Sequence, residues 1–332
     1  MEHYYDKIAK QSNTKHSDTK ESSSSQHKCV VGRSLVALPG IGLVRMEEVC
    51  RDVPPGQTVE RRAGFLTIAT ETSQAPVTQL YRSSNCATDT VTLVIETRLG
   101  YRIQCTADHP VREAVVDRAG RVTGMRWRAA GALQLGTLLK LRLGTRAATK
   151  PGLVAVPDAN MAERIGNCLR HTSKVWTMPK AILQGSLAVQ RAFVRGLFSE
   201  KAAHVVVDSE ETACDVQTLM ANLGYVVGRR SCHVHHGWQL TWLPGTVAVN
   251  GYLYDYVVHV STTAAPGSVY NVYVPGPHSF ICNAFVTHNT AAYTGPVTAN
   301  GRVQGMSRVC SVSTLLDTLD NPETIGFYEC EK

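Results

Sequence analysis

The hydrophobic rhythm of the chain changes twice. From residue 29 onward, short apolar runs separated by turn residues predict strands. "SLVALPGIGLVRMEEV" (34–49) is two such runs around a Pro-Gly turn. "TVTLVIETRLGYRIQCT" (90–106) places β-rich runs at Thr90–Thr97 and Tyr101–Thr106 around a short glycine-containing connection, which is a hairpin signal. "ALQLGTLLKLRL" (132–143) alternates around Gly136 and is again strand-like. Between 160 and 224 the apolar residues instead fall at helical spacing, in "NMAERIGNCLRH" (160–171), "LAVQRAFVRGLF" (187–198) and "TACDVQTLMANLGY" (212–225), the last stopping at Gly224. Strand patterns return at 251–263, 268–274 and 279–289. The order β, α-containing, β predicts a mostly β domain split by an inserted α/β domain. No internal repeat of fixed period is present.

Composition narrows the picture. The 332 residues suffice for two domains or for one domain interrupted by another, and a hydrophobic content of 43% is that of a globular protein. No stretch reaches the eighteen or so apolar residues of a membrane-spanning helix, so no membrane partner is expected. Residues 1–28 are polar and serine-rich without an apolar signal core, which predicts a flexible leader and a cytoplasmic protein. The ten cysteines contain no CxxC pair, which argues against a zinc ribbon and a disulfide scaffold. "SCHVHHGW" (231–238) gathers Cys232, His233, His235 and His236, but without a second cluster it reads as an exposed strand or turn rather than a metal site. A net charge of +7 permits contact with nucleic acid without demanding it.

Four short stretches carry chemistry, the last of them the end of the third with the residue after it. "CVVGRSLV" begins at Cys29, directly after the serine-rich leader. "GYRIQCTADHPV" (100–111) holds Thr106 and His109 at a T-x-x-H spacing. "VYNVYVPGPHSFICNAFVTHN" (269–289) contains His278 and ends in His288-Asn289, and Thr290 comes directly after it. Each has an ordinary reading: a small apolar residue opening a strand, a histidine in a turn before proline, a loop histidine, a polar turn. In this order and together, they make residues 29–289 resemble the inteins, self-splicing insertions built on the Hint fold.

That resemblance implies a mostly β Hint horseshoe formed by residues 29–145 and 262–289 around an α/β insert at 146–261. Residues 1–28 and 290–332 would be the flanking segments. It also implies the steps. Cys29 attacks the carbonyl of Lys28 and converts that amide to a thioester, with His109 as general acid toward the leaving nitrogen and Thr106 orienting the scissile group. The Thr290 hydroxyl takes over the acyl group as a branched ester. Asn289 closes a succinimide and breaks the bond to Thr290, with His288 and His278 moving protons. An acyl shift then joins Lys28 to Thr290. One position departs from the pattern: Asn271 stands where these proteins usually carry an acidic residue, which puts coordination of the two ends in question.

The insert resembles the second repeat of a LAGLIDADG homing endonuclease over residues 178–227. Where that family holds its metal-binding carboxylate, after Gly196, this chain reads Ser199-Glu200-Lys201, and an ammonium group cannot ligate a divalent cation. No first repeat is recognisable between 112 and 180. Residues 146–265 carry 11 Lys or Arg against 8 Asp or Glu, a thin balance for gripping duplex DNA. A vestigial endonuclease without cofactor or metal is therefore expected, in a monomer whose substrate is its own flanks. The competing readings are a cleavage-only Hint domain, which would separate the flanks without joining them, and an enzyme that cuts double-stranded DNA.

Overall fold

The computed structural model describes residues 28–61, 64–83, 91–149, 157–172, 175–198, 203–232, 237–244, 246 and 248–289. Its main feature is a curled antiparallel sheet of fourteen strands, interrupted in sequence by helices and a separate three-stranded sheet. The mostly β fold with an α/β insert is thus what the chain adopts. Along the large sheet one half runs Gly42–Arg45, Leu35–Leu38, Ser279–Cys282, Phe285–His288, Pro110–Val116 and Leu138–Arg142. Val122–Ala129 folds back on Pro110–Val116 as a hairpin. The other half runs Val91–Thr97, Arg102–Cys105, Val30–Val31, Val269–Tyr273, Gln79–Arg82 and Gln57–Glu60.

The strand Tyr252–Ala264 joins the halves. Its first part pairs with Leu138–Arg142 and its second with Val91–Thr97. The register shifts between Val257 and His259, and such a bulge bends a strand and re-aims its second part. This strand runs straight through the boundary expected between residues 261 and 262, because one continuous ladder belongs to the large sheet. Alternate residues fill the interior, with Val30, Ile95, Ile103, Leu139, Phe280 and Phe285 all at most 1% exposed.

The stretch 279–289, which reads as one strand, is a hairpin. Ser279–Cys282 and Phe285–His288 pair around Asn283-Ala284, both at positive φ (47° and 70°), as a two-residue turn matched to strand twist requires. Asn283 tolerates that conformation and is also bound three times: its N–H donates to Leu35 O (2.9 Å), its Oδ1 accepts from Leu35 N (2.8 Å) and its Nδ2 donates to Arg102 O (3.1 Å).

The insert holds helices Ala159–Arg170, Leu187–Leu197 and Glu210–Leu223, and strands His204–Val207, Val227–Cys232 and Gly237–Trp242. Each helix starts where a side-chain oxygen of Asp158, Ser186 or Ser209 accepts a main-chain N–H of the first turn, and the last ends at Gly224 in the left-handed conformation. The first two helices cross at Gly166 and Gly196. A methyl group on either would collide with the main-chain oxygen of Phe193 or of Glu163, so only glycine permits the approach.

Candidate functional site

A four-residue turn brings the two ends of the described β domain together. Val30 is registered with Cys105, the last residue of Arg102–Cys105. Val111, near the start of Pro110–Val116, is registered with Thr287. The chain passes between these two strands through Thr106–His109, closed by a hydrogen bond from His109 N to Thr106 O (3.0 Å). The T-x-x-H stretch is therefore the corner at which the strand beside Cys29 becomes the strand beside His288.

At the N-terminal end, Cys29 is fully buried, with its side chain among Val31, Ala265 and Val269. Thr106 holds it on both sides: Cys29 N donates to Thr106 Oγ1 (3.0 Å), and Thr106 N donates to Cys29 O (2.9 Å). The first of these bonds engages the nitrogen of the Lys28–Cys29 peptide. Burial pushes the Cys29 thiol well above its ordinary range, with Asp108, Cys50 and Cys105 adding to the effect, so the resting group is a thiol. Asn271 comes after Tyr270, the register partner of Val30, on the neighbouring strand; it is buried, and its Oδ1 accepts from Val272 N (2.8 Å).

His109 is also fully buried, and neither ring nitrogen reaches a hydrogen-bond partner among the described residues. Its ring packs edge-on to Phe280 at 6.2 Å. Burial lowers its pKa to about 4, while the Lys28 main chain opposes that shift. A main-chain group that favours an imidazolium is a carbonyl, which puts the carbonyl of the Lys28–Cys29 bond beside the His109 ring. An imidazole that is buried, without a hydrogen-bond partner among the described residues and beside a peptide carbonyl is equipped to move a proton there.

At the C-terminal end, Asn289 is fully buried. Its N–H donates to His278 O (3.0 Å) and its Nδ2 donates to Val274 O (3.3 Å); its Oδ1 has no partner among the described residues. His288 Nδ1 lies 2.5 Å from Asn289 O. Burial lowers the His288 pKa to about 4, so the ring is neutral and the contact with a carbonyl places its proton on Nδ1. A donor at that oxygen polarises the carbonyl that a succinimide-forming carboxamide attacks. His278 stacks over His288 with centroids 6.0 Å apart, and Trp127 meets His288 edge-on at 4.8 Å. His278 itself sits at φ 49°, a left-handed position directly after the Pro-Gly-Pro stretch.

The structure thus gathers Lys28, Cys29, Thr106, His109, His278, His288 and Asn289. His288 lowers the basicity of His109, and both histidines feel Lys28, which is the electrostatic mark of the two ends lying side by side. Thr290, Ser199, Glu200 and Lys201 lie outside the described residues, as do His233, His235 and His236. Gly196 serves the helix crossing. Among the described residues no cluster of three or more His, Cys, Asp or Glu is arranged to hold a metal, and no helix is long and apolar enough to cross a membrane. Trp127 and Arg112, whose guanidinium lies 4.6 Å over the Trp127 ring, belong to the site but carry no sequence motif. Their position results from a cross-strand pairing, Arg112 with Trp127, that spacing alone does not reveal.

No protein-family model and no curated protein matches the chain. Among solved structures, it is similar to a transcription factor IIB Mvu mini-intein (11% identity, TM-score 0.40, 79% of this chain and 99% of that one). It is similar also to the TvoVMA intein (11%, TM-score 0.39, 80% and 100%) and to a DnaB intein from Synechocystis sp. PCC 6803 (13%, TM-score 0.34, 80% and 99%). At such identities and scores these likenesses establish neither fold nor function; residues and distances must do so.

Proposed function

We infer that residues 29–289 are an intein that excises itself and joins Lys28 to Thr290. The observation that carries this reading is the Thr106–His109 corner, which lays the Lys28 carbonyl and the Asn289 carbonyl beside two neutral histidines.

The protonation states refine the role expected of His109. A neutral ring holds no spare proton, so general acid catalysis needs a source. The Cys29 thiol is that source: as its sulfur attacks the Lys28 carbonyl, His109 takes the thiol proton and returns it to the leaving Cys29 nitrogen, already held by Thr106 Oγ1. The C–N bond breaks, the C–S bond forms, and no net proton is consumed. The Thr290 hydroxyl then attacks the thioester: a C–O bond forms, the C–S bond breaks, and the hydroxyl proton returns to Cys29 as its thiol. At the other end the Asn289 Nδ2 attacks its own carbonyl, whose developing negative charge is met by His288 Nδ1–H. That closes the succinimide as one Nδ2 proton passes to the leaving Thr290 nitrogen, and the freed amine then takes the acyl group from its own ester oxygen as a peptide bond.

In this reading the insert is a vestigial endonuclease kept as a packed appendage. Its support is the absence of a carboxylate where Lys201 stands and the density of bonds tying the insert to the splicing sheet. A cleavage-only domain is disfavoured because Asn289 and Thr290 are both present.

The test is a pair of variants followed by mass spectrometry. Cys29→Ala blocks the thioester and all ligation but leaves scission after Asn289. Asn289→Ala stops that scission and leaves the N-terminal bond cleavable by an added thiol. Variants that process like wild type would overturn the mechanism.

A further inference from the structure

The splicing chemistry uses no carboxylate, yet one is built into the wall behind His288. Glu71 lies in the tight loop between Thr67–Ala69 and Gln74–Pro76, and its main chain is tied down at both ends. Its N–H donates to Ser279 Oγ (3.3 Å), and its carbonyl accepts from the Tyr252 hydroxyl (2.8 Å). Ser279 is the register partner of His288. The Glu71 carboxylate is 14% exposed and meets two cations through Oε1, Lys140 Nζ at 2.9 Å and Arg112 Nε at 3.3 Å. Lys140 is itself seated 3.7 Å over the Tyr252 ring. Arg112 covers Trp127, and Trp127 packs on His288.

We propose that Glu71 is a positioning residue for the cleavage after Asn289, acting on His288 through Arg112 and Trp127. This rests on the splicing reading. The geometry gives Glu71 two effects. It fixes the guanidinium plane, and so the indole edge that sets the His288 ring against the Asn289 carbonyl. It also offsets the positive charge behind that ring. The groups facing His288 are Lys28 on the segment entering the first strand, His109 in the corner turn, Arg112 on Pro110–Val116 and His278 on the loop before Ser279. All are basic, so each disfavours an imidazolium, and Glu71 is the anion that holds Arg112 from its far side. Lowly exposed charges of this kind are poorly screened by salt.

The experiment reads His288 directly. In the full chain carrying Cys29→Ala and Asn289→Ala, which cannot break at either junction, the His288 ring is titrated by NMR. Arg112→Gln should raise the midpoint by about half a pH unit or more, and Glu71→Gln should lower it by a similar amount. Glu71→Asp, which keeps the charge, should leave it nearly in place. Opposite shifts from two partners of one ion pair are not produced by general loosening. In the Cys29→Ala chain, Glu71→Gln should slow scission after Asn289 about tenfold. In the Asn289→Ala chain it should leave thiol-induced cleavage at Lys28 within about twofold. Unmoved midpoints, or equal slowing at both junctions, would overturn the proposal. If Glu71→Gln does not fold, Arg112→Gln carries the same test with the opposite sign. A wild-type chain that breaks at neither junction overturns the splicing reading and the cleavage role together. The titration then shows whether the electrostatic link itself exists.

Discussion

At the residue scale, His109 and His288 are held neutral by burial, each with a pKa near 4, while burial keeps Cys29 a thiol. A cysteine acting as free thiolate would gain rate about tenfold per pH unit below its pKa. A thiol whose proton passes to a neutral imidazole would not. The thioester step, followed in the Asn289→Ala chain with saturating trapping nucleophile, should therefore stay within about twofold from pH 5.5 to 8. It should fall only as pH descends toward 4, where His109 charges. A tenfold rise per pH unit would show that His109 is not the acceptor. Asn271 fits this picture, since proton transfer through His109 needs no carboxylate on the neighbouring strand.

At the element scale, two short turns decide where the site lies. The Thr106–His109 corner joins the halves of the sheet, and Asn283-Ala284 docks the C-terminal hairpin on Leu35 and Arg102. Asn283→Ala removes two side-chain hydrogen bonds and forces alanine into a left-handed position, and should cost about 2–3 kcal/mol in chemical denaturation. A change below about 0.5 kcal/mol would mean the hairpin is held elsewhere. The sequence carries the corner plainly, because T-x-x-H is local and its two key residues face the same junction. It does not carry the hairpin: Ala284 has no turn signature, and an apolar run such as "SFICNAFV" reads as one strand until its partner is known. The three longer insert helices are legible to within two residues because their apolar spacing and the Gly224 stop are local, whereas Met46–Val49, the end of a run that reads as strand, is a helical turn. Glu71, Arg112 and Trp127 are invisible in the sequence, since what joins them is pairing between strands far apart in the chain.

At the scale of the whole molecule, the insert is bonded into the sheet it interrupts. Arg229 has no side-chain exposure. Its Nε donates to Gly100 O (2.8 Å), and its terminal nitrogens meet Glu96 (3.1 Å) in the sheet and Glu210 (3.2 Å) in the insert. Arg45 on the sheet meets Asp215 and Glu211, Arg102 pairs with Glu210, and Gln217 Nε2 donates to Leu99 O (2.9 Å). Arg229→Ala takes the guanidinium from the partly buried Glu96 and from the buried Gly100 carbonyl, while Glu210 keeps Arg102, and should cost about 2 kcal/mol, melting sheet and insert as one transition. Two separate transitions in wild type would instead describe an insert that folds by itself. An insert wired in this way shares its packing with the strand Arg102–Cys105, which lies beside Val30.

The most direct measurement is the mass of the products made by the unmodified chain. Splicing predicts two species, an excised segment of residues 29–289 ending in a succinimide or its hydrolysis product, and a peptide in which Lys28 is bonded to Thr290. A chain of full mass after prolonged incubation, or flanks released but never joined, would contradict it.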